Sequence, residues 1–335
     1  METNFPLTSF NTFRVPAKAA SFALLASSEQ AIDIIKNVLP KINNVLVLGG
    51  GSNILFTADF DGLVLHQAMK GISVLEETDS ACRVKAAAGE DWTEFVDYCV
   101  SRGWGGIENL AMIPGQVGAA PVQNIGAYGR EAKDVIEHVE TLDLHTGEPR
   151  IFSNQECEFS YRNSVFKNGL KNHYLITSVV FNLHKEPVFH LDYGSIREEL
   201  QKRQTDEITF QAVARAIKNI RSRKLPDVSK TGSAGSFFKN PLLAESKFEK
   251  LKGEYPEMPF FKLQEGYKVP AGWLIDQCGW KGHTRNNYGV YPHQALVLVN
   301  YGGALGKDIF ELSEEIRRDV SKKFGIELER EVTVL

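Results

Sequence analysis

The sequence predicts an α+β protein of two or three domains, and three observations predict it. At 335 residues the chain is too long for one ordinary hydrophobic core. Its first glycine-rich stretch, "NVLVLGGGSNILF", runs from one strand-like segment into another. A doubly wound dinucleotide fold needs G-x-G-x-x-G opening a helix, so that class is excluded. Short strand patterns between about residues 130 and 184 then precede two amphipathic helices, and Pro226 closes the second at a domain boundary.

Composition narrows the function classes. Apolar residues make up 43% and charged residues 24%, ordinary values for a globular protein. No apolar run approaches the ~18 residues of a membrane span, and "METNFPLTSFNTFR" has no basic start followed by an apolar run, so a cytoplasmic protein is expected. Cys82, Cys99, Cys157 and Cys278 are scattered without a C-x-x-C pair or zinc-ligand spacing, and read as packed thiols rather than a metal site or a disulfide framework. A net charge of −4 argues against a nucleic-acid surface. Any phosphate bound here is held by local groups.

In chain order, "SSEQAIDIIKNVLP" predicts a helix with a Ser27-x-x-Gln30 cap, one face of Ile32, Ile35 and Leu39, and a stop at Pro40. Gly49, Gly50, Gly51, Ser52 and Asn53 read as a turn whose successive N–H groups form an anion nest. "IPGQVGAAPVQNIGAYG" (113–129) is uncharged and rich in glycine, alanine and proline. Such a stretch suits a long flat ligand lying against backbone, or a cluster of structural turns, and its residues leave both open. "ECEFSYRNSVFK" carries Tyr161 and Arg162 between strands. Val213, Ile217 and Ile220 mark the face of the helix before Pro226.

The third region begins with "TGSAGSFFKNP", which sets Ser236 among small residues. A turn and a serine displayed at a ligand both fit. An apolar stripe of Trp273, Leu274 and Cys278 predicts a packed helix, "HQALVLVN" a buried strand, and "ALGKDIFELSEEIRRDVSKKFG" a capped amphipathic helix before a terminal strand. Alternation in that strand makes Glu331 a solvated residue. A serine hydrolase using Ser236 with His283 or His293 fails, since no G-x-S-x-G elbow is present.

Taken together, "NTFR", "LGGGSN", "IPGQVGAAPVQNIGAYG", "SYRNSVFK", "KLPD", "GSAGSFFKNP", "AGWLIDQCGWKG", "HQALVLVN" and "LEREV" resemble, in order and over almost the whole chain, the UDP-N-acetylenolpyruvoylglucosamine reductases of peptidoglycan precursor synthesis. The resemblance implies a vanillyl-alcohol-oxidase-type FAD module of two subdomains and a following substrate domain. It places the first subdomain at 1–67, joined by a terminal strand 326–335, the second at 68–224, and a UDP-sugar domain at 225–325. It implies FAD on Gly49, Gly50, Gly51, Ser52 and Asn53 and on Ile113, Pro114, Gly115, Val117, Gly118, Ala119, Gln123, Asn124, Gly126 and Ala127. Neither glycine segment holds the His or Cys that would attach flavin covalently.

The implied reaction passes hydride from NADPH through FAD to an enolpyruvyl group. Ser236 matches the family's proton donor, Arg162 the arginine on the substrate carboxylate, and Glu331 its C-terminal glutamate. Tyr161, Arg221, Lys224, Asn240, Lys281 and Gln294 match substrate contacts, with Lys239 a further candidate from charge. "EPVFHLDYGSIREEL" places Tyr193 where one subgroup carries a substrate-capping tyrosine loop. A flavin-linked oxidase of the same fold and a non-catalytic UDP-sugar binder are the rivals, the first separated by reaction with oxygen and the second by lack of turnover. A bacterial cytoplasmic enzyme with small-molecule partners, without nucleic acid, membrane insertion or an obligate protein partner, is expected.

Overall fold

The computed structural model describes residues 1–202 and 207–335. The chain divides into two compact units, one of residues 1–5, 19–50 and 61–221, the other of residues 6–18, 51–60 and 222–335.

Two larger sheets lie in the first unit. In one, the strands run in the order Glu2–Pro6, Lys18–Leu25, Phe60–Gln67 and Val45–Leu48, the last two parallel with Val45 opposite Leu63. Helix Ser28–Asn37 starts where Ser27 Oγ accepts from Gln30 N at 3.2 Å, the cap that the sequence predicts. Its buried face is Ala31, Ile34 and Ile35, not Ile32, Ile35 and Leu39. Pro40 has no N–H to donate to Lys36 O, so the α-helical ladder cannot continue through it, and the helix ends at Asn37. Leu39 falls in the following 3-10 turn and, like Ile32, is only partly buried.

The second sheet is antiparallel throughout, in the order Pro149–Ser153, Ile136–Asp143, Tyr174–His184, Ala81–Ala87 and Ile72–Glu77. Helices Trp92–Ser101 and Phe210–Lys224 cover one face. They bring Trp92, Phe95, Val213, Ile217 and Ile220 to a core with Val84, Val179 and Phe181. Burying each large side chain stabilises the unit by about 1.5–3 kcal/mol. The face named for the second helix is therefore the one that packs. Strands follow the first glycine turn, at Ile54–Leu55 and Phe60–Gln67, as "SNILFTADFDGLVLHQ" predicts.

In the second unit, helix Gly306–Phe324 buries Ile309, Leu312, Ile316, Val320 and Phe324 and ends at Gly325 in left-handed conformation (φ 63°). Two three-stranded sheets accompany it, Leu242–Leu243 with Gly266–Lys268 and Phe261–Leu263, and Thr284–Arg285 with Tyr288–Val290 and Leu298–Asn300. Helix Ala271–Gln277 buries Ala271, Leu274 and Ile275. The expected stripe through Trp273 and Cys278 is corrected by one position. Trp273 is half-buried against the rings of Tyr255 and Phe324, at 6.0 and 5.8 Å.

Of the expected terminal strand, Thr333–Val334 forms a strand in parallel with Ile54–Leu55, and Arg330 makes an isolated bridge with Phe238. The "NTFR" motif is structural in this unit. Asn11 bonds Leu7 O and Val15 O through Nδ2, and Asn300 Nδ2 bonds Phe13 O at 2.8 Å. Cys82, Cys99 and Cys157 are buried and Cys278 is half-buried. Among the described residues no helix is long and apolar enough to cross a membrane.

Candidate functional site

In the first unit, the glycine turn meets the start of the uncharged segment. A Cβ on Gly50 would lie 3.3 Å from Gly115 Cα, and one on Gly49 3.1 Å from Gln116 Oε1. Two backbones thus approach where glycine leaves the room. Gln116 Nε2 donates to Gln67 O at 3.1 Å, while its Oε1 is buried without a partner. A buried acceptor left empty costs about 1–3 kcal/mol. This place is shaped for a ligand that brings a donor.

The hydrogen-bond network separates the two segments by role. Val117 N, Gly118 N and Ala119 N donate to Glu90 O, Ala88 O and Gln116 O at 2.9, 2.9 and 3.0 Å, and the Val117 side chain is fully buried. Those amides are spent inside the protein. The turn behaves differently: Gly51 accepts from Thr12 N at 3.1 Å, and among the described residues no acceptor takes the N–H of Gly50 or Gly51. An anion therefore has donors at the turn, whereas residues 117–119 offer a neutral wall. Further along, Asn124 is fully buried and its amide bonds Glu131, Ser160 O and Lys133 N. It shapes the loop from within. Gln123 receives Lys167 Nζ at 3.4 Å, and Gly126 and Ala127 pair with Arg130–Glu131. Ile113 is half-buried and Pro114 exposed ahead of the turn.

Beyond Gly126 lies a cluster of charge and phenol. Arg162 sits in left-handed backbone at φ 53°, and its Nη2 donates to Gly126 O at 2.6 Å. Its guanidinium carbon lies 5.3 Å from the centre of the Tyr161 ring, which is exposed. Arg221, on helix Phe210–Lys224, has a buried Nε without an acceptor. Burial lowers its guanidinium pKa, Tyr128 works against that, and Arg162 adds to it. The Tyr193 phenol is raised by burial and lowered in part by Arg162. Its ring meets Tyr128 edge to face at 6.2 Å. Two like charges near one another, one with an unfilled buried N–H, form a place that an anion would stabilise.

The second unit assembles another group. Ser236 is half-buried and bridges Val297, while Phe237 N donates to Leu296 O at 2.8 Å. Phe238 faces Arg330, and Glu331 N donates to Phe237 O at 2.9 Å. Asn53 Nδ2 donates to Glu331 O at 3.1 Å, and Thr333 N to Asn53 O at 3.0 Å. Serine, glutamate and Asn53 thus share one junction, and Glu331 is half-buried rather than a solvated strand residue. The small residues before Ser236 divide in purpose. A Cβ on Gly232 would lie 2.2 Å from Phe13 O, so it packs backbone on backbone; Gly235 has φ 69° and nothing within 4 Å of that position. Only the second opens space beside the serine.

The other candidates scatter over local roles. Lys239 pairs with Glu329, Asn240 Oδ1 accepts from Ala271 N at 2.9 Å to start its helix, and Gln294 Oε1 accepts from Leu296 N at 3.3 Å. Lys281 is exposed 3.5 Å from Asp276, and Lys224 is exposed at its helix end. Sequence reasoning passed over Tyr128, Gln116 and Asn109. Tyr128 lay in the quoted uncharged segment, where an aromatic between Ala127 and Gly129 was the available signal.

Comparison with known proteins bears on both units. The family described as "UDP-N-acetylenolpyruvoylglucosamine reductase, C-terminal domain" matches residues 227–335, and that described as "FAD binding domain" matches residues 19–153. A UDP-N-acetylenolpyruvoylglucosamine reductase of Bacteroides fragilis is 46% identical, with 100% of both chains covered. Relatives of the same name from Amoebophilus asiaticus and Pseudomonas putida are 44% and 45% identical, covering 100% and 97% of this chain and 99% and 96% of theirs. The crystal structure of the UDP-N-acetylenolpyruvylglucosamine reductase of Thermus caldophilus superposes with a TM-score of 0.66 at 24% identity, covering 98% of this chain and 96% of that one. The expected α+β fold, with an FAD-binding module followed by the family's C-terminal domain, stands.

Proposed function

Because the chain belongs to the UDP-N-acetylenolpyruvoylglucosamine reductase family, we propose that Arg162, Ser236 and Glu331 are its catalytic residues. The protein is an FAD-dependent oxidoreductase that reduces the enolpyruvyl group of UDP-N-acetylglucosamine enolpyruvate in peptidoglycan synthesis. NADPH is the proposed reductant, the proposed subgroup is the one with a tyrosine loop, and the proposed location is the cytoplasm.

The residues present fit the flavin. The glycine turn offers N–H donors to its diphosphate, and the buried Gln116 Oε1 offers an acceptor to one of its hydroxyl or amino groups. Binding is noncovalent, since neither glycine segment contains His or Cys. When bound, FAD supplies a hydride carrier between the nicotinamide and the enolpyruvyl carbon.

The chain's own groups handle charge and proton. The observation that carries this reading is the pairing of Arg162 with Arg221, whose buried Nε lacks an acceptor. That arrangement favours an anionic substrate, and Arg162 holds its carboxylate while charge develops there. Ser236 delivers a proton from its hydroxyl to the carbon beside the carboxylate, a contribution of about 10²–10⁴-fold for a positioned donor. Glu331, two residues before the strand Thr333–Val334, supports the same developing charge with a hydrogen bond. Arg221, Tyr193, Tyr161, Lys224, Asn240, Lys281 and Gln294 bind the sugar nucleotide.

Separating the half-reactions tests the assignment. The unmutated protein is expected to bleach with NADPH and recolour on adding the enolpyruvyl UDP-sugar. Ser236→Ala should bleach within about twofold of the normal rate and recolour at least 10²-fold more slowly. Equal slowing of both steps would show that the serine positions flavin instead.

A further inference from the structure

Asn109 is fully buried in the 3-10 turn Glu108–Leu110, outside the groups assigned above. Its Nδ2 donates to Tyr128 O and to His190 O, both at 2.9 Å. A carboxamide nitrogen has two hydrogens. Both are spent, and one planar group ties together segments that lie 62 residues apart in the chain (190 − 128). Each end of the tie is a place where the chain needs holding. Tyr128 has φ 50°, a left-handed conformation that costs a side-chain-bearing residue about 1–3 kcal/mol unless its surroundings impose it. His190 comes three residues before Tyr193, whose loop turns at Gly194 with φ 68°. Arg130 Nη1 lies 3.3 Å from His190 Nε2 at the same junction, and the Tyr128 and Tyr193 rings meet 6.2 Å apart.

We propose that Asn109 is a positioning residue for the sugar nucleotide. It anchors the base of the Tyr193 loop to the turn that carries Tyr128, and so holds the Tyr193 ring against the Tyr128 ring. The inference rests on the reading of Tyr193 as a substrate contact. Without the tie, the Tyr128 and His190 carbonyls lose their donor, the anchored arrangement is less populated, and apparent affinity falls by the same fraction.

Asn109→Asp keeps the shape but presents an acceptor to two carbonyl oxygens. Flavin content, NADPH bleaching per bound flavin, and KM and kcat for the enolpyruvyl UDP-sugar are measured for Asn109→Asp, Tyr193→Ala and the double variant. The expected result is a KM raised about tenfold in Asn109→Asp with kcat within twofold, unchanged flavin content and bleaching, and no further rise when the substitution is added to Tyr193→Ala. Hydrogen exchange at 190–195 should quicken in Asn109→Asp.

An equal KM rise in both backgrounds would show that Asn109 does not act through Tyr193, and overturns the inference alone. Loss of flavin or slowed bleaching assigns Asn109 to the cofactor and also overturns it. An unchanged KM in Tyr193→Ala sinks the underlying reading of Tyr193, and the inference with it. Should Asn109→Asp fail to fold, Asn109→Ser retains one donor and is held to the same pattern.

Discussion

Glu331 shows what one residue gains from its neighbours. Its backbone is fixed on both sides, by Phe237 O and by Asn53 Nδ2, so its side chain projects from a held position at the serine junction. A group held in place before reaction costs little reorganisation during it. Glu331→Gln keeps the hydrogen-bonding shape and a donor; Glu331→Ala removes both. Recolouring of the reduced protein by the enolpyruvyl UDP-sugar should slow by about 10²–10³-fold in the alanine variant and clearly less in the glutamine variant, with NADPH bleaching normal in both. Stopped-flow absorbance of the flavin reads both steps. If neither variant slows recolouring, Glu331 has no chemical role.

At the scale of elements, the short strand Thr333–Val334 carries more than its length suggests. Thr333 N donates to Asn53 O at 3.0 Å, and Leu335 N to Leu55 O at 2.9 Å. The same Asn53 holds Glu331 through its side chain. Thr333→Pro deletes the first of these bonds and cannot join the ladder, whereas Thr333→Ala leaves it intact, since the Thr333 side chain is exposed. A loss of about 1–3 kcal/mol is expected for the proline variant, read by calorimetry as a drop of several degrees in Tm. Substrate-driven recolouring should slow with it. An alanine variant that matched the proline variant would place the effect in the side chain and not in the pairing.

The whole molecule has a pH dependence written on the charged face of its five-stranded sheet. Arg83 Nε and Nη2 grip Glu137 at 2.7 and 2.6 Å, and these bonds hold the Glu137 carboxyl below its usual range, chiefly through Arg83. Burial would raise Glu140, but hydrogen bonds from Lys85 and Ser178 outweigh it and lower that group too. A carboxyl whose folded pKa is depressed contributes stability in full above its unfolded value, and loses it as pH falls through the folded value. Thermal stability should therefore decline on acidification below pH 4.5, the ordinary value for these glutamates. Glu137→Gln should flatten part of that decline. Because the pair is partly exposed, with Arg83 at 37% and Glu137 at 30%, solvent screening keeps the stability lost at pH 7 small. An unchanged slope below pH 4.5 in the variant would remove Glu137 from the account.

Local physics explains what was legible without coordinates. The cap at Ser27, the packed face Val213–Ile217–Ile220, the strand on either side of the glycine turn and the stop near Pro226 each depend on neighbours within a few residues. Propensity, periodicity and turn chemistry act over that range. Where periodicity misled, at Ile32 and at Trp273, the error was a rotation of about one position, decided by which side met the core. The partners of buried polar groups belong to another range. Arg162 finds Gly126 across 36 residues, Asn53 finds Glu331 across 278 and Asn300 finds Phe13 across 287. No pattern along the chain names such partners. By itself the sequence determined the capped helix after Ser27, the strands around the glycine turn, the helix before Pro226 and the family resemblance that its motifs carry. Only the tertiary structure decided that Asn124 faces inward, that Gly232 serves Phe13 while Gly235 opens space, and that Asn109 holds two loops at once. A buried donor or acceptor must find its partner wherever folding brings one, at any distance along the chain.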